Sequence, residues 1–274
     1  MDLPSPKTIK ELFSQYESKP SKGLGQNFLI DKNTLNKIIA AADLKKSDTV
    51  LEIGPGIGTL TQELAQKAKK VIAIEKDPVM VNILEKTLEN YKNIEIIHAD
   101  ALSFKLQDSS YKIVANIPYY ITSPLIRKFL ESANRPSEII LMVQKEVAKR
   151  ICAKVPDMNL LAVSVQFYAK PEIISYVSKG CFWPSPKIDS AIIKIVPRDS
   201  ALISADFRDR FFRIVKAGFS QPRKQLGNNF SQKLKKNKEE IEVWLKKNGI
   251  DPKQRAETLN VSDWQKLTDS FMSR

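Results

Sequence analysis

Thr49-Val-Leu-Glu-Ile-Gly-Pro-Gly-Ile-Gly-Thr-Leu60 decides the fold of this 274-residue chain. Thr49 to Ile53 is a short β-branched and apolar run, the mark of a buried strand. Glycines at 54, 56 and 58 follow, and a helical pattern starts at Thr59. The stretch predicts a strand, a tight turn and a helix. Without side chains, Gly54, Gly56 and Gly58 let the backbone bend sharply and let a ligand approach the main chain at the carboxyl end of the strand.

Spacing separates two readings of that loop. A dinucleotide fingerprint needs Gly-x-Gly-x-x-Gly with pyrophosphate at the helix N-terminus, but the position for its last glycine, counted from Gly54, holds Thr59. Glu52-x-Gly-x-Gly-x-Gly58 resembles instead motif I of the S-adenosylmethionine-dependent methyltransferases, whose donor carries no phosphate. A glycine-rich turn with no ligand is the bland alternative, and the next strands bear on it. Residues 71–74 predict a second strand ending in Glu75, about twenty residues after the loop, where doubly wound sheets place an acid on ribose hydroxyls. Residues 94–97 predict a third, delivering His98-Ala-Asp-Ala-Leu102. Asp100 can accept a hydrogen bond from an adenine amino group, with Ala101 and Leu102 offering main-chain and apolar contacts to the ring. A surface glutamate and an N-cap aspartate are the ordinary alternatives, and the repeated strand-then-acid pattern favours the ligand.

The fourth strand, residues 112–115, points into Asn116-Ile-Pro-Tyr119 and is expected beside the first, at the switch point of an open α/β sheet. Attack on a sulfonium methyl needs an aligned nucleophile, and adenine's exocyclic amine is a poor one because its lone pair is delocalised into the ring. The Asn116 side-chain oxygen and a carbonyl of Ile117 or Pro118 form an acceptor pair able to hold its hydrogens and favour a tetrahedral nitrogen. Pro118 fixes the turn, and Tyr119 offers a ring to stack on a flipped base. Beyond it, Thr122 or Ser123 is expected to cap a helix from Pro124, followed by a strand at 138–143 and helices at 144–152 and 160–169. Residues 173–177 and 188–196 predict an antiparallel pair closing the sheet. Between them, two prolines stiffen Cys181-Phe-Trp-Pro-Ser-Pro-Lys187, so Phe182 or Trp183 is a candidate plate for the other face of an extruded adenine. A core aromatic is the alternative.

At 42% apolar the chain can bury one large domain and a small one. Its 44 Lys and Arg against 31 Asp and Glu give a net charge of +13, which fits a polyanionic partner, with a merely solvated basic surface as the alternative. Cys152, Cys181 and the single histidine, His98, supply neither a metal site nor a disulfide framework. No apolar run approaches the ~18 residues of a membrane span, so a soluble, cytoplasmic protein without a membrane partner is expected. Near the N-terminus, residues 8–16 predict a short amphipathic helix and residues 19–25 a basic turn-rich segment. Asp31 or Asn33 then caps a helix through Ala42, with Gly25-Gln-Asn-Phe-Leu29 as a capped loop before it.

Together, Lys22-Gly-Leu-Gly-Gln-Asn-Phe-Leu29, Leu51-Glu-Ile-Gly-Pro-Gly-Ile-Gly58, Asn116-Ile-Pro-Tyr119 and Phe182-Trp-Pro-Ser-Pro-Lys-Ile-Asp-Ser190 resemble the ribosomal RNA adenine dimethyltransferase family, and most closely its bacterial small-subunit type. The resemblance runs from about Lys22 to Leu267. It implies a class I S-adenosylmethionine methyltransferase sheet, Rossmann-like α/β with helices on both faces, over residues 1–200, with residues 1–30 a basic, cofactor-covering arm. It also implies a small helical RNA-binding domain over 201–274. The activity implied is dimethylation of two adjacent adenines near the 3′ end of 16S ribosomal RNA in an assembling small subunit, by a monomer that needs no metal. Carried onto this sequence, the donor falls on Asn27, Leu29, Gly54, Glu75, Asp100 and Asn116, beside Gly56 of the same loop. The base falls on Asn116, Pro118, Tyr119 and Phe182. Asn27 and Leu29 rest on the resemblance alone.

The tail fits an RNA partner: residues 201–274 hold 16 Lys and Arg against 9 Asp and Glu. Helical spacing is expected around 207–219, 241–245 and 264–271, with Gly249-Ile-Asp-Pro252 as a break. Arg223-Lys224 and Arg255-Ala-Glu-Thr-Leu259 match the family, whereas Pro222 stands where a further arginine is usual and Met158-Asn159 replace a usual Tyr-Gly. Three other functions compete: a large-subunit methyltransferase of the antibiotic-resistance type, a non-catalytic RNA-binding, assembly or transcription factor on the same fold, and a nicotinamide dehydrogenase, which Thr59 disfavours.

Overall fold

The computed structural model describes residues 3–106, 110–198 and 204–271. In chain order the elements are α1 (Pro6–Gln15), β1 (Phe28–Leu29), α2 (Lys32–Ala42), β2 (Thr49–Ile53), α3 (Thr59–Lys67), β3 (Lys70–Glu75), α4 (Pro78–Thr87), β4 (Ile94–His98), β5 (Lys112–Asn116) and α5 (Thr122–Glu131). There follow β6 (Glu138–Gln144), α6 (Lys145–Ile151), α7 (Leu160–Tyr168), β7 (Ala169–Val177), β8 (Phe182–Trp183), β9 (Ser190–Pro197), α8 (Ala205–Gly218), α9 (Leu226–Leu234), α10 (Lys238–Lys247) and α11 (Val261–Ser270).

Contacts divide the chain into two compact units. One holds the residues up to Ala148 together with Lys170–Pro197, and the other holds Lys149–Ala169 together with the chain from Arg198 on.

In the first unit the strands run in the order β4-β3-β2-β5-β6-β9-β7. β2 lies between β3 and β5, parallel to both, as expected of a switch point, and β9 joins β6 antiparallel with Met142 opposite Ile192. Both faces are covered. Leu35 and Ile38 of α2 and Leu60 and Leu64 of α3 pack on Val50, Val71, Val114, Ile140 and Ile192. The alternate residues Leu51, Ile72, Ile74, Ile113 and Leu141 point the other way and are equally buried, which is why these strands read as unbroken apolar runs. α1 buries Ile9, Leu12 and Phe13 against Met80 and Ile83 of α4, so the N-terminal helix lies next to the element that follows Glu75. Asp31 caps α2, accepting from Thr34 N at 2.7 Å. The helix expected from Pro124 begins at Thr122, so Thr122 is its first residue rather than its cap, and its buried hydroxyl has no hydrogen-bond partner among the described residues.

The second unit differs from a simple division into 1–200 and 201–274. The expected boundary between those ranges lies outside the described residues, and Lys149–Ala169 belongs with the tail. Aromatic packing is the cause: Phe167 of α7 stacks on Phe211 of α8 at 4.1 Å between ring centroids and meets Phe212 edge-on. Met158-Asn159 has a local role here, because Asn159 caps α7 by accepting from Ala162 N at 3.0 Å and Met158 N bonds Glu257 O. The helix α9 was not expected from its polar sequence.

α8 crosses α11 where Gly218 faces Trp264, a fully buried ring. A Cβ at Gly218 would lie 2.4 Å from Trp264 Cη2. Helix propensity alone predicts that Gly218→Ala stabilises by about 1 kcal/mol, but overpacking a rigid ring costs about 1–3 kcal/mol. Packing wins, so Gly218→Ala is expected to lower the thermal midpoint of unfolding.

Candidate active site

The site is built at the carboxyl ends of β2, β3, β4 and β5. Gly54 continues the ladder, donating its N–H to Ile74 O at 2.9 Å, and then the chain turns through positive φ, 68° at Gly54 and 60° at Gly56. Both positions favour glycine by conformation, and Gly56 by space as well. A Cβ at Gly56 would lie 3.0 Å from the Phe28 ring, and one at Gly54 would touch Pro118 at 3.4 Å. The glycine loop thus meets β1 on one side and the Asn116-Ile-Pro-Tyr turn on the other. Between them is a cleft of about 1160 Å³ open to solvent, walled by residues 24–29, the glycine loop, Glu75, residues 99–102 and residues 116–121.

Glu75, at the end of β3, is 7% exposed. Oε1 accepts from Lys76 N at 2.8 Å and Asp77 N at 2.9 Å, and Oε2 from Gly56 N at 3.2 Å. Burial pushes its pKa up, the three N–H groups oppose the rise, and the charge of Asp77 adds to it. Two oxygens offer about four lone-pair sites, so one on Oε2 is open towards the cleft. Asp100, just past β4, is held by Leu102 N at 2.8 Å and by Lys76 Nζ at 2.8 Å, and the Lys76 bond is the main reason its pKa is lowered. Lys128 of α5 donates to Ala101 O at 2.7 Å and to Phe104 O, which fixes the loop carrying Asp100.

Asn116 ends β5 and donates Nδ2 to Asn27 O at 3.3 Å. With the nitrogen engaged, Oδ1 is the end of the amide left to accept, an orientation assigned from the hydrogen-bond network. Asn27 in turn donates Nδ2 to Gly25 O at 2.9 Å. Residues 18–29 are tied down further by Gln26, which donates to Asp77 Oδ2 at 2.7 Å and accepts from Ser21 N. Pro118 and Tyr119 line the cleft, and the Tyr119 hydroxyl lies 2.6 Å from Ser190 Oγ. Burial raises the Tyr119 pKa.

Of the residues singled out in the sequence, Asn27, Leu29, Gly54, Gly56, Glu75, Asp100, Asn116, Pro118 and Tyr119 all line this one cleft. Phe182 does not. It is 3% exposed and sits in the core, in register with Leu29 across the β1–β8 pair, while Trp183 pairs with Phe28. Among the described residues no group of three or more His, Cys, Asp or Glu is placed to hold a metal ion, and no helix is long and apolar enough to cross a membrane.

Glu52, which the sequence shows only as the start of the glycine motif, is a wall residue of the cleft as well. It is 1% exposed, and its pKa is pushed up to about 8, first by burial and then by the charge of Glu75, against the pull of the Thr61 hydroxyl. At neutral pH the carboxyl is largely protonated. Folded Glu52 keeps its proton where the unfolded chain, with an ordinary value of 4.5, has released it, so raising the pH favours unfolding across that window. Relative to Glu52→Gln, the wild type is expected to lose about 1.4 kcal/mol of stability per pH unit between the two values, roughly 5 kcal/mol in all. Denaturant titrations of both proteins from pH 5 to 9 check this.

The chain matches the family described as "Ribosomal RNA adenine dimethylase" over residues 17–272. It is 47% identical over 263 residues to a "Ribosomal RNA small subunit methyltransferase A" of Dehalococcoides mccartyi, covering 94% of this chain and 90% of that one. Among solved structures it is similar to a dimethyladenosine transferase from Plasmodium falciparum, with 32% identity, a TM-score of 0.76, and 88% and 95% of the two chains covered. It is also similar to the 23S rRNA methyltransferase ErmE, with 28% identity, a TM-score of 0.75, and 89% and 99% covered. The strand order, the glycine turn and the acids at successive strand ends agree with these likenesses, and the chain belongs to the ribosomal RNA adenine dimethylase family.

Proposed function

We propose that this cleft binds S-adenosylmethionine and that the protein dimethylates the exocyclic amino groups of two adjacent adenosines near the 3′ end of 16S ribosomal RNA. The observation that carries this is the meeting in one cleft of the Glu75 and Asp100 carboxylates, the glycine turn and the Asn116-Ile-Pro-Tyr119 turn. The wall suits the donor. An open lone pair on Glu75 fits a ribose hydroxyl, Asp100 fits an amine, and the glycine loop exposes main chain to the cleft. Asn27, Leu29, Gly54, Gly56, Glu75, Asp100 and Asn116 are the residues that would hold it. When bound, the donor supplies an electrophilic methyl group.

The chain's own residues do the rest by orientation. Asn116 Oδ1 and a carbonyl of the turn accept the amino hydrogens and draw the nitrogen lone pair out of the ring's conjugation. Pro118 sets the turn, and Tyr119 stacks on the everted base. Phe182 is the second plate on the strength of the resemblance; to meet a base, its ring must leave the core.

The methyltransferase function is assigned to the first unit, and RNA contact to the helical second unit, whose cations include Arg223, Lys224 and Arg255. The partner proposed is an assembling small subunit in the cytoplasm, met by a monomer. The similarity to ErmE raises a large-subunit substrate as a second reading, but the higher identity to small-subunit enzymes favours the first. Purified small and large subunits lacking the modification should be offered with labelled donor. The small subunit alone is expected to accept about four methyl groups, two on each adenosine, recovered as dimethyladenosine. Labelling confined to the large subunit would contradict the assignment.

A further inference from the structure

Tyr119 stands in a turn outside the sheet, and its ring would be free to swing about two side-chain torsions were its hydroxyl untethered. The tether is Ser190, 71 residues further on, at 2.6 Å. Ser190 is completely buried and opens β9, opposite Gln144 at the end of β6. Its neighbour Asp189 is fixed as well: its carbonyl accepts from Lys145 N at 3.0 Å and its carboxylate from Lys179 N at 3.2 Å. The Ser190 hydroxyl is therefore a rigid point of the sheet, and it holds the far end of a ring that lines the cleft.

We infer that Ser190 is a positioning residue for methyl transfer, setting the plane of the Tyr119 ring against which the adenine stacks. This rests on the proposed function. Stacking leaves little latitude, since a ring tilted out of plane shifts the base and takes its nitrogen off the line to the donor carbon. The simpler role, filling the hydrogen-bonding needs of two buried hydroxyls, makes a different prediction. A purely structural bond affects stability, and removing both partners restores much of it. A positioning bond affects turnover, and once either partner is gone the other has nothing left to contribute.

The test is a double-mutant cycle on the full chain, with Ser190→Ala, Tyr119→Phe and the pair, measuring labelled methyl transfer to undermethylated small subunits. Ser190→Ala is expected to lower kcat by roughly 10- to 100-fold, with the KM for the donor unchanged. Tyr119→Phe keeps the ring and should match it, and the double variant should be no slower than either single one. Wild-type turnover in Ser190→Ala, or a double variant whose loss is the product of the two single losses, would overturn the inference alone. A wild-type protein that methylates no adenosine would overturn the functional reading first and this inference with it.

Discussion

Asn116→Ala is expected to lower methyl transfer by about 10³-fold, the upper end of what is lost when one preorganised hydrogen-bonding group is removed from a transition state. The substitution removes the Oδ1 acceptor and also the Nδ2 donor that bonds Asn27 O at 3.3 Å. Only the first loss touches the base. Asn27 belongs to a segment held independently by Gln26 on Asp77 and by the β1–β8 pair, so the cleft should survive. RNA binding is then expected to be retained, and donor binding to weaken by far less than turnover. Asn116→Asp separates the two losses, because it restores an acceptor but not the donor to Asn27 O, so its turnover is expected to exceed that of Asn116→Ala. Turnover in single-cycle assays, with separate titrations of donor and RNA, checks both. Unchanged methylation in Asn116→Ala would remove this residue from the reaction.

Gly56→Val should abolish donor binding within the range of calorimetry, a loss of at least about 100-fold. Three costs coincide there. Gly56 has φ of 60°, which a β-branched residue adopts only under strain; its added Cβ would lie 3.0 Å from the Phe28 ring; and its N–H is one of the three that hold the Glu75 carboxylate. Phe28 cannot easily yield, since it is 6% exposed and paired with Trp183. The loop must move instead, and Glu75 loses its N–H. Gly249 separates conformation from contact. It has φ of 74° but nothing within 4 Å, so Gly249→Ala should cost only about 1 kcal/mol of stability.

What could be read from the sequence was what is local. The apolar run of β2, the alternate glycines and the acids after β3 and β4 are features of contiguous residues, and their spacing dictates where side chains emerge at the strand ends. Gly54, Gly56, Glu75, Asp100, Asn116, Pro118 and Tyr119 line the cleft for that reason, whereas Asn27 and Leu29, which line it too, were expected from the resemblance. What was not legible concerns partners far away in the chain. Prolines stiffen the loop of Phe182 and mark it as a plate, but that its ring rests in the core is set by register with Leu29, which lies more than 150 residues earlier. Glu52 is legible as part of the glycine motif but not as a buried acid, because nothing in a strand sequence says that a carboxyl will be sealed near Glu75 and Thr61. Its signal was there all the same, a single acid inside an otherwise apolar strand. α9 is not legible because its sequence is largely polar. The structure turns Asn229 inward, where it donates to Gly218 O at 2.7 Å and Gln221 O at 3.0 Å, so a polar residue holds two helices together.

Donor and adenine are held to meet between the glycine turn and Asn116. A crystal structure with a non-reactive donor analogue and a short adenosine-containing RNA tests this most directly. It should place the analogue's ribose on Glu75 Oε2 and the target amino nitrogen against Asn116 Oδ1, with the base on the Tyr119 ring. An analogue bound away from Glu75, or a base that leaves Asn116 untouched, would contradict it.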